Sequence, residues 1–264
     1  MDILKRELAP IINEVWAEID SRAAKVLQTY LSARKVVNVD GPKGWDYTAI
    51  AEGRLDVKEE KDGVKMGIYR VMPLLEARAE FELDRWELDN HARGAKDIDF
   101  SSLEEATRKI AMFEDDVIYN GLDEACIIGL KDACKNPPID MEDGEEGIMD
   151  AVSKGMLTLQ DGFAQKPYTL IVGEKGWRRI NSKVQGYPLA DRIRNMIGGE
   201  IIFSHVVGDA LLLPQDHEDL EMTIGRDLSI GYSEHSAKKV KLFLTESFTF
   251  RVLANDIIVK FNLV

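Results

Sequence analysis

Four histidines, two cysteines and several carboxylate runs are the residues of this chain that could do chemistry, and their spacing decides what kind. A Glu-x-x-His metal pair on one helical face needs a Glu three residues before a His. Here those residues are Leu88, Ile202, Pro214 and Tyr232, before His91, His205, His217 and His235. No His-Glu-x-x-His run, Gly-x-Ser-x-Gly elbow or Walker loop occurs. Gly198-Gly199 and Gly173-Glu174-Lys175-Gly176 are too short for dinucleotide fingerprints and read as turns. The acidic stretch from Asp140 to Glu146 lacks the alternating ligand spacing of a calcium loop and reads as a solvated connector. Glu114-Asp115-Asp116 falls in a helical stretch, where a charge run marks a wet face more often than a catalytic carboxylate pair. Cys126 and Cys134 stand eight apart with no Cys-x-x-Cys spacing, so neither zinc nor a disulfide framework is expected. The expectation is no catalytic residue and no metal in this chain.

The elements that would position these residues follow from hydrophobic period. Val15, Trp16, Ile19, Ala23, Val26, Leu27, Tyr30 and Leu31 recur at helical spacing, predicting an amphipathic helix over Asn13 to Arg34. It is followed by a short strand at Val36 to Val39 and a turn at Asp40-Gly41-Pro42. From Leu75 to Asp84 the period becomes two, with Leu75, Ala77, Ala79, Phe81 and Leu83 against charged neighbours. Paired with a strand over Lys65 to Met72, this reads as a two-stranded arm. Such a ribbon is marginal alone in water and would pack on a neighbouring subunit.

Ser102 and Glu105, at capping-box spacing, open a long spine helix through Ile110, Phe113, Val117 and Leu122. Beyond a Pro-containing acidic connector the pattern predicts helices near 148–159, 175–182 and 189–197, with strands at 168–172 and over 201–213. The tail returns to β pattern at 241–245, 248–252 and 257–261.

The 264 residues, 45% hydrophobic and 31% charged, suit a folded globular chain of one large domain or two smaller ones. A net charge of -13 repels phosphate backbones and anionic lipid, which argues against nucleic-acid or membrane partners. No apolar run is long enough for a signal peptide or a membrane helix, so a cytoplasmic location is expected.

Several stretches carry more than generic pattern. They include Leu4-Lys5-Arg6 with Ala9-Pro10, Trp16 to Asp20, Arg34-Lys35 with Asp40-Gly41-Pro42 and Gly44-Trp45, Pro73-Leu74, and Trp86-Glu87-Leu88-Asp89-Asn90. Asp99 to Glu105, Phe113-Glu114-Asp115, Pro167 to Leu170, Tyr187-Pro188-Leu189, Asp227 to Tyr232 and Thr245 to Phe250 continue the series. In this order and spacing, across nearly the whole chain, they resemble the encapsulins. The connector Asn136 to Gly147 and the segment His217 to Met222 match least well and are expected to be loops.

The resemblance implies an α+β fold like the tailed-phage major capsid protein. It divides the chain into an N-terminal helix and start of a peripheral domain (1–45), an extended loop (46–84), the spine helix (85–134), an axial domain (135–220) and the C-terminal peripheral strands (221–264). It implies a homo-oligomeric icosahedral shell of about sixty subunits. The shell would enclose a cargo enzyme, of the ferritin-like iron oxidase or dye-decolorising peroxidase kind, for iron storage or oxidative-stress defence. Cargo would be held through a short terminal targeting peptide, with Arg34, Leu228 and Ile230 as the docking residues; structural packing and a helix-end charge are the competing reading of these three. It also implies a flavin (FMN or riboflavin-type) on the shell, with Trp86 to stack the ring and Arg78 and Tyr187 beside it, against a reading in which Trp86 only packs. A peptidase or a bacteriocin-type protein is the alternative, but the first lacks an assembled nucleophile and base, and the second an export signal.

Overall fold

A computed structural model describes residues 3–58, 60–182 and 186–264. Helix α1 (Asn13–Tyr30) buries Val15, Trp16, Ile19 and Ala23, the stripe its period dictates. After a 3₁₀ turn at Ala33–Lys35 come strands β1 (Val37–Asp40), β2 (Ala49–Val57), β3 (Gly67–Pro73) and β4 (Leu75–Asp84). Asp84 Oδ1 accepts the Trp86 and Glu87 amides and so starts α2 (Arg85–Ala92). The spine helix α3 spans Ser101–Asn120, and the short α4 Leu130–Ala133. A mixed block follows: β5 (Ile139–Met141), α5 (Glu145–Asp161), β6 (Tyr168–Val172), α6 (Glu174–Ile180), α7 (Leu189–Ile197), β7 (Ile201–Phe203) and β8 (Ala210–Pro214). The chain closes with β9 (His217–Ile224), β10 (Ser229–His235), β11 (Lys239–Val252) and β12 (Val259–Leu263).

These strands make two five-stranded sheets and one two-stranded ribbon. In the first sheet the 14-residue β11 is the organiser: β4 and β10 pair antiparallel with its first part and β9 with its last residues, while β1 runs parallel to β9. The second sheet has the order β5-β12-β8-β6-β7. Helix α3 joins the two. Its Leu103, Ala106 and Ile110 pack with α1 and the β4, β10 and β11 side chains, whereas Val117, Ile118 and Tyr119 belong to the core that surrounds the second sheet. Each fully buried Leu or Ile in these cores contributes about 1.5–3 kcal/mol.

Four expectations are corrected. The alternating strand β4 is not half of the arm but pairs with β11 over ten residues, because its apolar face covers α3 and α1 rather than a foreign surface. The ribbon is β2 with β3. The two segments expected as loops are not: Asn136 to Gly147 holds β5 and the first turn of α5, and the segment from His217 is strand β9, whose Leu220, Met222 and Ile224 are buried. The last strand, β12, joins the second sheet between β5 and β8 instead of staying with the C-terminal strands of the first. The two tail runs before it are one continuous strand, β11.

Candidate functional site: an unpartnered ribbon and a buried charged joint

The ribbon presents two unlike faces. Cross-strand register pairs Ala51 with Val71 and Leu55 with Tyr69, so these four side chains share one face with Val57. The opposite face carries Ile50, Met72, Ile68 and the Asp56–Arg70 ion pair at 2.6 Å. Tyr69 is 76% exposed, Val57 73% and Val71 57%, an apolar face that its own chain leaves largely uncovered among the described residues. A patch of this kind marks an interaction surface.

The second feature sits where α1 meets the body. Asp115 of α3 accepts the backbone amides of Ser32 and Ala33, at 3.0 and 2.9 Å, and the Ser32 hydroxyl, which also meets Tyr119 Oη. Ser32 and Ala33, just beyond the end of α1 at Tyr30, are thereby fixed to the spine helix. One residue on, Arg34 grips Glu114 with two guanidinium nitrogens, Nε to Oε1 at 2.8 Å and Nη2 to Oε2 at 2.5 Å. It also reaches Asp227 at 2.7 Å and Glu246 of β11 at 3.1 Å. Glu114 and Glu246 are fully buried and Asp115 is 1% exposed. Glu114 and Asp115, expected on a wet face, are therefore interior; of that run only Asp116 is exposed.

Burial dominates the titration of this joint. It pushes Asp115 up to about 6 against the hydrogen bonds from Ser32 and Ala33, which favour the charged form. Burial, then the neighbouring Glu114 carboxylate, lifts Glu246 well above the usual range. Arg34 would be lowered by burial, but the hydrogen bond and charge of Glu114, with Asp227 and Glu246, raise it overall. At the same end of α1, Tyr30 stacks on His205 at 4.6 Å, and His205 meets Phe203 edge-on at 4.7 Å.

The three expected docking residues differ in exposure, and of them Arg34 belongs to this joint. Arg34 is committed to internal carboxylates, and its partner Asp227 directly precedes Leu228, which is half-buried against α1's core. Ile230, 5% exposed, packs with Val15, Trp16 and Ile19 and offers no free surface in the subunit.

The three residues expected to hold a flavin do not converge within one chain. Among the described residues no hydrogen bond, ion pair or ring contact links any two of them. Trp86 is 65% exposed, an open ring that fits stacking, with the Arg93 guanidinium 5.5 Å from its centroid. Arg78 lies over Phe243 at 4.2 Å and pairs with Glu76. Tyr187 is exposed, its hydroxyl meeting Asn195 at 3.4 Å. Such a site would be completed only between copies.

Sequence reasoning missed Glu246. The signal was present: an acid in the middle of the apolar run Leu242-Phe243-Leu244-Thr245-Glu246-Ser247-Phe248 is either a slip onto a wet face or a buried, partnered charge.

Comparison with known proteins fits this geometry. Residues 1–249 match the family described as "Encapsulating protein for peroxidase". The chain is 35% identical over 265 residues to the type 1 encapsulin shell protein of Rhodococcus erythropolis, covering 98% of this chain and 99% of that one. Among solved structures it resembles the virus-like particle of Pyrococcus furiosus, with a TM-score of 0.65 at 15% identity over 93% of this chain and 98% of that one. It also resembles the capsid of Myoviridae phage XM1, with a TM-score of 0.54 at 12% identity over 86% and 90%. The fold is thus the α+β phage-capsid type.

Proposed function

From the premise that this chain belongs to the encapsulin shell-protein family, we propose that it is the structural subunit of a closed protein compartment that encloses a cargo enzyme. The observation that carries the reading is the ribbon. An apolar face from Ala51 to Val71 without a partner among the described residues of its own chain is matched by burial against another copy, and repeated identical contacts that close give a finite symmetric particle. The smallest icosahedral shell, of about sixty copies, is the size we propose, with the cytoplasm as its location. Its test is particle size, set out with the ribbon variant in the Discussion.

The cargo we propose is a dye-decolorising peroxidase, or in second place a ferritin-like iron oxidase, serving oxidative defence or iron storage. The printed family description favours the peroxidase. Attachment is through a short terminal peptide on the inner wall beside the joint. Weak single contacts suffice there, because a multimeric cargo gains from effective concentration. Leu228 is the docking residue with accessible apolar surface, while Arg34 and Ile230 shape the seat beneath it. Leu228→Asp is expected to give intact shells whose cargo content, measured by mass spectrometry of purified particles, falls at least tenfold. Fully loaded shells would rule this seat out. Ile230→Asp is a different experiment, since it buries an unpaired carboxylate and is expected to block folding.

We also propose a flavin stacked on Trp86 at a contact between copies, with Arg78 and Tyr187 contributed from neighbouring chains. The exposed indole and hydroxyl support it. Particles incubated with FMN or riboflavin and desalted should retain flavin absorbance that disappears in Trp86→Ala; colourless wild-type particles would end the proposal.

A further inference from the structure

We propose that the buried joint of Ser32, Arg34, Glu114, Asp115 and Glu246 is a proton-operated latch that fixes the N-terminal helix to the body of the subunit and tightens as it takes up protons. The charge count points there first. One guanidinium faces Glu114 and Glu246, both fully buried, with Asp115 beside them at 1% exposure and a third partner, Asp227, half-exposed. Were all of these ionised, the interior would hold an excess of negative charge. Burying uncompensated charge is costly, and the group takes a proton instead. Glu246 Oε1 is buried without a hydrogen-bond partner, which a carboxylate tolerates poorly.

The latch is placed to move one element. Asp115 holds the Ser32 and Ala33 amides, and Arg34 follows directly, so every bond in the cluster joins the end of α1 to α3, β11 or the Asp227 loop. Tyr119 of α3 closes the far side through Ser32, and burial raises its hydroxyl far out of the neutral range, so it stays protonated. Other groups that face α1 from outside the cluster are His205, stacked on Tyr30, Glu104 of α3, paired with Arg22 at 2.5 Å, Arg6, paired with Asp20 at 2.7 Å, and His91 of α2 and Lys96, which line a pocket with Glu18 and Arg22.

The sign follows from the docked state holding its protons more tightly than the undocked one. Asp115 moves from the usual 3.8 to about 6, so its contribution is complete below pH 4 and is lost as pH rises through 6. Glu246 extends the loss to higher pH, being raised further. The opening equilibrium of α1 is therefore expected to increase about 30-fold between pH 4 and pH 6 through Asp115 alone.

Hydrogen exchange of the α1 amides in the full-length protein, corrected for the intrinsic pH dependence of exchange, reads that equilibrium directly. The wild type should open progressively as pH rises from 4 to 7.5. The Asp115→Asn, Glu246→Gln variant, which carries neutral isosteres of the protonated groups, should be flat to within about threefold over the same range. His205→Gln should keep the wild-type slope, which separates the cluster from the histidine. Should the double variant not fold, Ser32→Ala serves: losing a donor to the Asp115 carboxylate moves the plateau to higher pH. A wild-type opening constant that is level or falls with rising pH, or an unchanged slope in the double variant, would overturn the latch. The readout is independent of whether particles form, so its failure is distinct from failure of the shell reading.

Discussion

Replacing Tyr69 and Val71 together with aspartate is expected to abolish the assembled particle and leave a folded subunit. Both side chains are exposed in the subunit, at 76% and 57%, so their loss removes little intramolecular packing and folding should change by about 1 kcal/mol. In the proposed particle the same positions would meet another copy. There each side chain loses about 1.5–3 kcal/mol of apolar burial, and each carboxylate must be desolvated or displace its partner surface. Two such losses per subunit weaken each contact by at least about a hundredfold, and a closed shell repeats them at every copy. Light scattering coupled to gel filtration would show a small species with wild-type circular dichroism. Particles of normal size from the double variant would mean that the ribbon's apolar face is not the contact.

Arg34→Ala is expected to be strongly destabilising. It leaves Glu114 and Glu246 without their cation, and breaking a buried ion pair from one side costs about 3–5 kcal/mol. The melting transition should fall on the order of 10 °C for a chain of this size. Arg34→Lys keeps the charge but not the fork that engages Glu114 through two nitrogens, so it should fall between. Adding Glu114→Gln and Glu246→Gln to Arg34→Ala should recover most of the loss, because the cost lies in the stranded carboxylates. A single Arg34→Ala variant that melts with the wild type would show that the cluster is not a structural centre.

Period carried much of the fold. Helix α1 was legible from Val15, Trp16, Ile19 and Ala23, and β6 and α7 lie where their apolar patterns put them. Pairing was not legible. The alternation of Leu75 to Leu83 reveals which face of β4 is apolar but not which strand lies beside it, and that partner begins 155 residues later at Lys239. Strand β2 went unseen because Glu52, Gly53 and Arg54 break its alternation at a bulge, where Gly53 takes a φ of 68°.

The buried joint was half legible for a related reason. Arg34 stood out through the family resemblance, but Glu114 and Asp115 were read as wet because adjacent acids usually are. Their partners lie 80 or more residues away in the chain, at Ser32 to Arg34, and a single strand of sequence does not display such a match. Leu228 and Ile230 were flagged as one apolar pair; only the packing of α1 over Ile230 separates a half-open side chain from a core one.

Electron cryomicroscopy of the purified full-length chain at working concentration tests the central claim most directly. The account predicts uniform hollow shells in the megadalton range, with the Tyr69 and Val71 face of each ribbon buried against a neighbouring copy. A stable dimer or other small oligomer as the sole species, with that face open to solvent, would contradict it.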